Sequence, residues 1–207
     1  MIESVIETCS TSCVRQAELT TRERLLTAAE RLLLESGYER VSIRAVCAAA
    51  ESNPAAVHYH FGSKESLVAA LLQSRLGPVW ESAMDGLEDR GAGVAECVSA
   101  VIDPLVTLAE DPIGRLHIRL LSRLVLGRHD IGWTARWFSL DPFVDLLRRQ
   151  HPDLPDHEAR VRWILAFDLI LGQFGAPLAD DRVLSAPSVT TLHAFVTAGL
   201  SAPLESR

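Results

Sequence analysis

A period sets the strongest limit on this chain. In the segment TTRERLLTAAERLLLESGY, apolar residues recur at three- and four-residue steps: Leu25, Leu26, Ala29, Leu32 and Leu33. That spacing lays them along one stripe of an α-helix, with Arg22, Glu23, Glu30 and Arg31 largely off it. Leu- and Ala-rich stretches continue through the chain, and alternating runs of Val, Ile, Thr and Tyr are scarce. An all-α protein is therefore expected. With 48% hydrophobic and 23% charged residues the chain is globular, not disordered. Its 207 residues suffice for two units of unequal size.

Local signals divide the front of the chain into short pieces. Thr20 or Thr21 caps the first helix, and Gly37 ends it in a left-handed conformation. Ser42 caps a second helix, which turns Ile43, Val46, Cys47 and Ala50 inward, and the small Ala48, Ala49 and Ala50 permit a close helix crossing. Glu51, Ser52 and Asn53 form a tight turn. Asn53 then caps a third helix that starts with Pro54 in the first helical position. It runs to about His60, closes at Phe61 and Gly62, and is followed by a fourth helix capped by Ser63.

Two short helices joined by a tight turn and packed on a longer one make a helix-turn-helix. The second helix of such a pair is narrow enough for the major groove of DNA. Here its outward face holds Asn53, Ala55, Ala56, His58, Tyr59 and His60, which are small or hydrogen-bonding. A core helix would not display that composition.

The string Val57-His58-Tyr59-His60-Phe61-Gly62-Ser63-Lys64 is the most specific in the sequence. Together with Gly37-Tyr38 and Val41-Ser42, it makes the segment from Thr21 to Leu72 resemble the N-terminal domain of TetR-family regulators. The resemblance implies roles. Ser42 would meet a phosphate at the second helix's N-terminus, and Arg44 matches a position that often contacts DNA. Asn53, Ala55 and Ala56 match the base-facing part of the recognition helix, with His58 beside them. Tyr59 and His60 match backbone-contacting positions, and Lys64 matches a phosphate-contacting lysine. Phe61 would be core. The sequence departs from the family pattern at Glu51, where glycine is usual, at Ser52, where an apolar residue is usual, and at His58, where tyrosine is common. A left-handed Glu51 would cost about 1 kcal/mol.

The formal net charge of -7 bears on DNA binding. Residues 20–64 carry six Lys/Arg (Arg22, Arg24, Arg31, Arg40, Arg44, Lys64) against five Asp/Glu (Glu23, Glu30, Glu35, Glu39, Glu51), a net of +1. The acidity lies mostly behind that window. DNA affinity follows the charge facing the phosphates, not the sum over the chain, and a dimer doubles the contact set.

The expected organisation is an N-terminal arm at 1–19, a helix-turn-helix DNA-binding domain at 20–65, and a larger helical ligand-binding and dimerisation domain at 66–207. Proline punctuation divides the latter into helices near 63–76, 78–90, 93–110, 112–128, 132–150, 155–176 and 187–200, with Leu76-Gly77-Pro78 as a kink or a break. Most of its aromatic residues belong in the core. A ligand cavity, which the resemblance implies, has as candidate lining Trp80, His117, Arg119, Trp137, Phe138, Trp163, Phe167 and Asp168. Asp168, a carboxylate in WILAFDLILGQF, needs a partner, with Arg162, Arg119 and Arg123 as candidates, or an interface position. Gly172 and Gly175 suit close approach of a second helix, and the resemblance implies a homodimer through roughly 155–176 and 187–200.

Other chemistries fit less well. His58 and His60 point about 200° apart on a helix and cannot share a metal. There is no Gly-rich phosphate loop, no GxSxG and no HExxH, so no enzyme is expected. No metal or other cofactor is expected either. Cys9, Cys13, Cys47 and Cys97 lack zinc-knuckle spacing and read as reduced thiols. MIESVIETCSTSC lacks the basic start and apolar core of a secretory signal, and the longest apolar stretch, Trp163 to Phe174, carries Asp168 and Gln173. A cytoplasmic protein is expected.

The functional expectation is a repressor on a near-palindromic operator, released by a small, largely apolar effector that favours the wrong spacing of the two heads. YHFGSK followed by Leu-Gly-Pro is similar to regulators responsive to fatty acids or their acyl thioesters. The alternative is a helical interaction module that has lost DNA binding.

Overall fold

The computed structural model describes residues 20–175 and 183–204, without the side chains of Pro54, Ala56 and Glu88. The expectations for the 1–19 arm, with Cys9 and Cys13, lie outside the described residues. Those residues form α-helices and short 3-10 turns and no strand. The fold is all-α. No described helix is long and apolar enough to cross a membrane. The chain divides into two compact units, Met1–Leu67 and Val68–Arg207.

In the first unit, α1 (Thr21–Ser36) buries Leu25, Leu26, Ala28, Ala29 and Leu33. Thr20 caps it, its hydroxyl accepting from the Glu23 amide at 3.2 Å. Gly37 ends α1 at φ 76°, ψ 161°. The positive φ matches expectation, but the ψ is extended, not left-handed helical, in a region nearly restricted to glycine. A 3-10 turn (Tyr38–Arg40) leads to α2 (Ile43–Ala49), then α3 (Pro54–His60). Both pack on α1.

In α4 (Lys64–Met84) the Gly77-Pro78 step lies inside one helix, so it does not break the chain there. A single turn, α5 (Leu87–Arg90), follows. The second unit continues with α6 (Val94–Ala109), α7 (Pro112–Leu126), α8 (Asp141–Gln150), α9 (Asp156–Gly175) and α10 (Ala186–Leu200). The expected helix over 132–150 is corrected: it begins only at Asp141. Its first part is held out of helix by the Gln73 side chain, whose Oε1 accepts from the Thr134 amide (2.7 Å), the Ala135 amide (2.7 Å) and the Thr134 hydroxyl (3.1 Å). Amides paired to a side chain have left the helical ladder. Asp141-Pro142 then starts α8, proline lacking the N–H that a first turn leaves unused.

The centre of this unit is the α7–α9 crossing, its most extensive helix pair. The buried Ser122 hydroxyl donates to the Leu171 carbonyl at 3.0 Å. One turn on, Gly175 lies so close that a Cβ there would overlap the Ser122 side chain. The close approach expected of Gly175 is thus made within the chain, whereas a Cβ on Gly172 would meet nothing within 4 Å. Helix α10 packs on α6 and α9. Arg162, its side chain only 10% exposed, fastens the end of α10. Its guanidinium pairs with Glu158 at 3.0 Å and donates to the carbonyls of Leu200 (3.0 Å) and Ala202 (2.6 Å). A cation among the last carbonyls of a helix also meets the negative end of its dipole.

Gly114 is as tightly placed as Gly175, because a Cβ there would overlap the Leu108 carbonyl. Gly175→Ala and Gly114→Ala are each expected to destabilise the protein by about 1–3 kcal/mol, with Gly114→Ala worse because its obstacle is backbone. The check is the urea midpoint; an unchanged midpoint for both would show the crossings to be looser than described.

Candidate nucleic-acid interface and ligand cavity

Helix ends fix the geometry of the first unit. The Ser42 hydroxyl accepts from the Ala45 amide at 3.2 Å, and Asn53 Oδ1 accepts from the Ala55 amide at 2.9 Å. Between them lies the turn, where Glu51 takes φ 50°. This is the left-handed conformation for which glycine is better suited. Val46, Cys47, Ala50 and Val57 turn inward and lock the two short helices on α1. Burial pushes the Cys47 thiol above its ordinary value, as expected for a core residue.

The opposite side of α2 and α3 is open. Ser42, Arg44, Asn53, Ala55, His58, Tyr59 and His60 are all exposed. Tyr59 is 86% exposed, so it is not a half-buried packing residue. Its ring meets that of His60 edge-on at 5.1 Å. Of Ala56 only the backbone position within α3 is described. Phe61 is half-buried, not core, and the Arg22 guanidinium stands 5.6 Å from its ring centroid.

Lys64 is held in place by a residue whose part the sequence left unassigned. Its ammonium donates to the Tyr38 carbonyl at 2.5 Å and lies 4.0 Å from the Tyr38 ring centroid. The Tyr38 hydroxyl donates to Glu65 at 3.0 Å. Tyr38 thus orients the ammonium at the start of α4 through a cation–π contact and a carbonyl, and an ammonium has donors left for a further anion. A Ser63 cap was legible and is present, accepting from the Ser66 amide at 3.0 Å.

The second unit holds a cavity of about 420 Å³. Two helical stripes form much of its wall: Leu121, Val125 and Arg128 from the α7 side, and Arg160, Ile164, Phe167 and Asp168 from α9. Leu121 and Val125, and the four α9 residues, are at helical spacings, so each set is one face, with Arg128 added from just past the end of α7. Trp80 enters from α4, and Trp133, Trp137, Phe138, Ser139 and Leu140 come from the segment that Gln73 holds irregular. The rings interlock edge-on, Trp80 with Phe138 at 5.9 Å and Phe143 with Phe167 at 5.0 Å.

Of the eight residues expected at a cavity, Trp80, Trp137, Phe138, Phe167 and Asp168 line this one. The other three do not. His117 is buried within α7, Arg119 is exposed, and Trp163 is fully buried beneath the wall, packed on Phe143 and Phe167. Helix position and residue class gave no way to separate a ring that lines space from one that supports it. The partner of Asp168 also differs from expectation. It is Arg128, at 2.7 Å, in place of Arg162, Arg119 or Arg123. Arg162 is engaged at the end of α10, and Arg128 lies just beyond the end of α7, at φ 52°. Asp168 Oδ2 takes that ion pair, whereas Oδ1 is buried with no hydrogen-bond partner among the described residues. An unmatched buried acceptor costs about 1–3 kcal/mol. Among the described residues no group of three or more His, Cys, Asp or Glu side chains is placed to hold a metal.

Comparison with known proteins bears on the first unit most directly. The family described as bacterial regulatory proteins, tetR family, matches residues 25–71. The HTH-type transcriptional regulator UidR of Escherichia coli (strain K12) is 26% identical over 98 residues, 46% of each chain. The HTH-type transcriptional regulator BetI of Rhizobium meliloti (strain 1021) is 34% identical over 85 residues, 41% of each chain. The match spans less than half the length of these curated relatives. Across the whole fold, the solved structure of the fatty acid degradation regulator FadR from Bacillus halodurans superposes with a TM-score of 0.58. It is 17% identical, covering 92% of this chain and 99% of that one, a likeness of fold.

The strained turn gives a direct test of the interface's local economy. Glu51→Gly is expected to relieve about 1 kcal/mol of left-handed strain, raising Tm by about 2–4 °C. It also removes a negative charge beside the exposed face, so affinity for duplex DNA is expected to rise at low salt. A lower Tm would show that the Glu51 side chain, not glycine's freedom, stabilises the turn.

Proposed function

We propose that this chain, a TetR-family member by its N-terminal domain, is a sequence-specific DNA-binding transcriptional regulator, acting as a repressor released by a small, largely apolar ligand. The observation that carries the reading is the exposed, uncommitted face of α3. Tyr59 and its neighbours stand in solvent, and Val57 anchors the helix inward. Asn53, Ala55, Ala56 and His58 would face base edges, and Ser42, Arg44, Tyr59, His60 and Lys64 would contact the DNA backbone. Small and hydrogen-bonding side chains suit base edges, and a capped helix start with nearby cations suits phosphate. The relatives UidR and BetI, both HTH-type transcriptional regulators, support the same reading.

The head carries little net charge, so one copy would bind weakly. A homodimer through α9 and α10 supplies the second head. That face carries Val161, Leu165 (63% exposed) and Phe195 (68% exposed), large apolar groups that water does not favour. A two-fold dimer reads a near-palindromic operator with half-sites about one helical turn apart. An effector that binds the DNA-free form more tightly than the DNA-bound form releases the operator by that difference. The 420 Å³ cavity, mostly aromatic and aliphatic, falls within the range of small-molecule sites.

Selection of bound sequences from a random duplex library tests the proposal. An enriched inverted repeat is expected, with log affinity falling steeply against log salt, about 0.9 per phosphate neutralised. No enrichment by folded, helical protein would favour an interaction module that has lost DNA binding. The double variant Leu165→Asp, Phe195→Asp is expected to sediment as a monomer and bind the selected operator about a hundredfold more weakly or worse, since two linked heads gain that much over one. A variant that stays dimeric would move the interface elsewhere.

A further inference from the structure

We propose that Gln73 is a positioning residue of the ligand cavity: it latches the segment 131–140 as a gate through which an apolar effector enters and leaves. The inference concerns access to the same cavity and rests on its reading as a small-molecule site.

The wall has two kinds of backbone. The faces contributed by α4, α7, α8 and α9 belong to helices, whose amides bond along their own ladders, so these parts shift only with a whole helix. Trp133, Trp137, Phe138, Ser139 and Leu140 come from a stretch whose regular structure is one 3-10 turn, Arg136–Phe138. Its amides bond at short range: Trp133 to the Ile131 carbonyl (2.9 Å), Phe138 to that of Ala135 (3.0 Å) and Ser139 to that of Arg136 (3.3 Å). The Thr134 and Ala135 amides reach outside the stretch. Both end on Gln73 Oε1 at 2.7 Å, where the Thr134 hydroxyl joins them at 3.1 Å. Backbone amides only donate, so the oxygen of the Gln73 side chain, not its nitrogen, faces them. Three donors on one atom are released together when that side chain turns away.

Two ring contacts also hold the stretch down, Phe138 on Trp80 at 5.9 Å and Trp137 on Phe143 at 5.5 Å. Apolar contact is non-directional, and an apolar ligand among the same rings replaces it with its own surface. Such a ligand offers no substitute for the Gln73 bonds, which therefore define the closed position whether the cavity is filled or empty. Gly132, exposed and with open space where a Cβ would stand, gives the stretch a hinge on its upstream side. A latch that stabilises the closed form of the empty and the filled protein alike cancels from the affinity. It remains in the rates of entry and release.

The test uses the full-length protein and N-phenylnaphthylamine, an uncharged probe of apolar sites. Its binding is followed by stopped flow through quenching of the four tryptophans, all in this wall or just beneath it. Gln73→Leu is expected to speed both entry and release of the probe about tenfold, with Kd within about threefold of its original value. Amide hydrogen exchange over 131–140 is expected to quicken by a similar factor without any probe, with α7 and α9 unchanged. Gln73→Glu keeps an acceptor in the same place and is expected to restore the slow rates. Thr134→Val, at an exposed position, removes one of the three bonds and stands in should Gln73→Leu fail to fold; it is expected to raise both rates about twofold. Unchanged rates or exchange in the variant used would overturn the gate. So would a rise in release alone, which would make Gln73 a support of the bound form, or fast rates in Gln73→Glu. An unmodified protein whose tryptophans the probe does not quench loses the small-molecule reading of the cavity and the gate with it, whereas binding with unaltered rates loses only the gate. Operator selection is measured separately and decides the regulator reading alone.

Discussion

The second unit depends on how closely α7 and α9 approach. Only a glycine at 175 lets α9 settle against Ser122, and the Ser122 hydroxyl then reaches the Leu171 carbonyl. That contact lies on the same helical stripe of α9 as Ile164 and Asp168, at three- and four-residue steps. Close approach at one end of the stripe therefore sets where its other residues stand. Leu121, Val125 and Arg128 occupy the matching side of the wall from α7. The cavity is what remains when two helices touch tightly at one level and the segment before α8 fills in with rings. A packing constraint of a single methyl group thus precedes any question of ligand.

The first unit rests on a different kind of constraint, the ends of short helices. Helices of seven residues, such as α2 and α3, have little intrinsic stability, and most of their backbone donors lie near an end. Ser42 and Asn53 each satisfy one, and Pro54 removes another. These devices act over two or three residues, so they were legible in the sequence. The turn, the caps and the exposed α3 face followed from Ser42, Asn53, Pro54 and Val57 without any knowledge of distant partners. Tyr38 shows where that legibility stops. Its place in the family string was visible, but its hold on Lys64 joins residues 26 positions apart.

The same division explains the second unit. The helices α6, α7, α9 and α10 were readable because period and proline are local. The segment 132–140 was not, because its backbone answers to Gln73, 61 residues away. The Asp168 partner was misassigned for the same reason. Arg128 is 40 residues distant and reaches Asp168 only because the chain turns just past the end of α7. Composition indicated that a carboxylate in an apolar helix needs a cation, and it could not say which arginines were already engaged. Likewise Trp163 and Phe167 share a helix and a residue class, yet one supports the wall and the other forms it.

Among the described residues, two non-glycine residues take a left-handed backbone where glycine would be easier: Glu51 and Arg128. Each holds φ near +50°, and each sits at a candidate site, one in the helix-turn-helix and one in the cavity wall. Strain of this kind persists when something else over-determines the position. For Arg128 the compensation is visible: the turn brings its guanidinium onto Asp168 at 2.7 Å. Glycine there would relax the backbone and remove the ion pair that sorts the charges of the wall. For Glu51 no comparable partner is at hand among the described residues; its side chain is exposed. The two strained residues therefore differ in kind. Arg128 trades backbone ease for an ion pair at the cavity wall. Glu51 sets a negative charge beside the exposed face of the proposed interface.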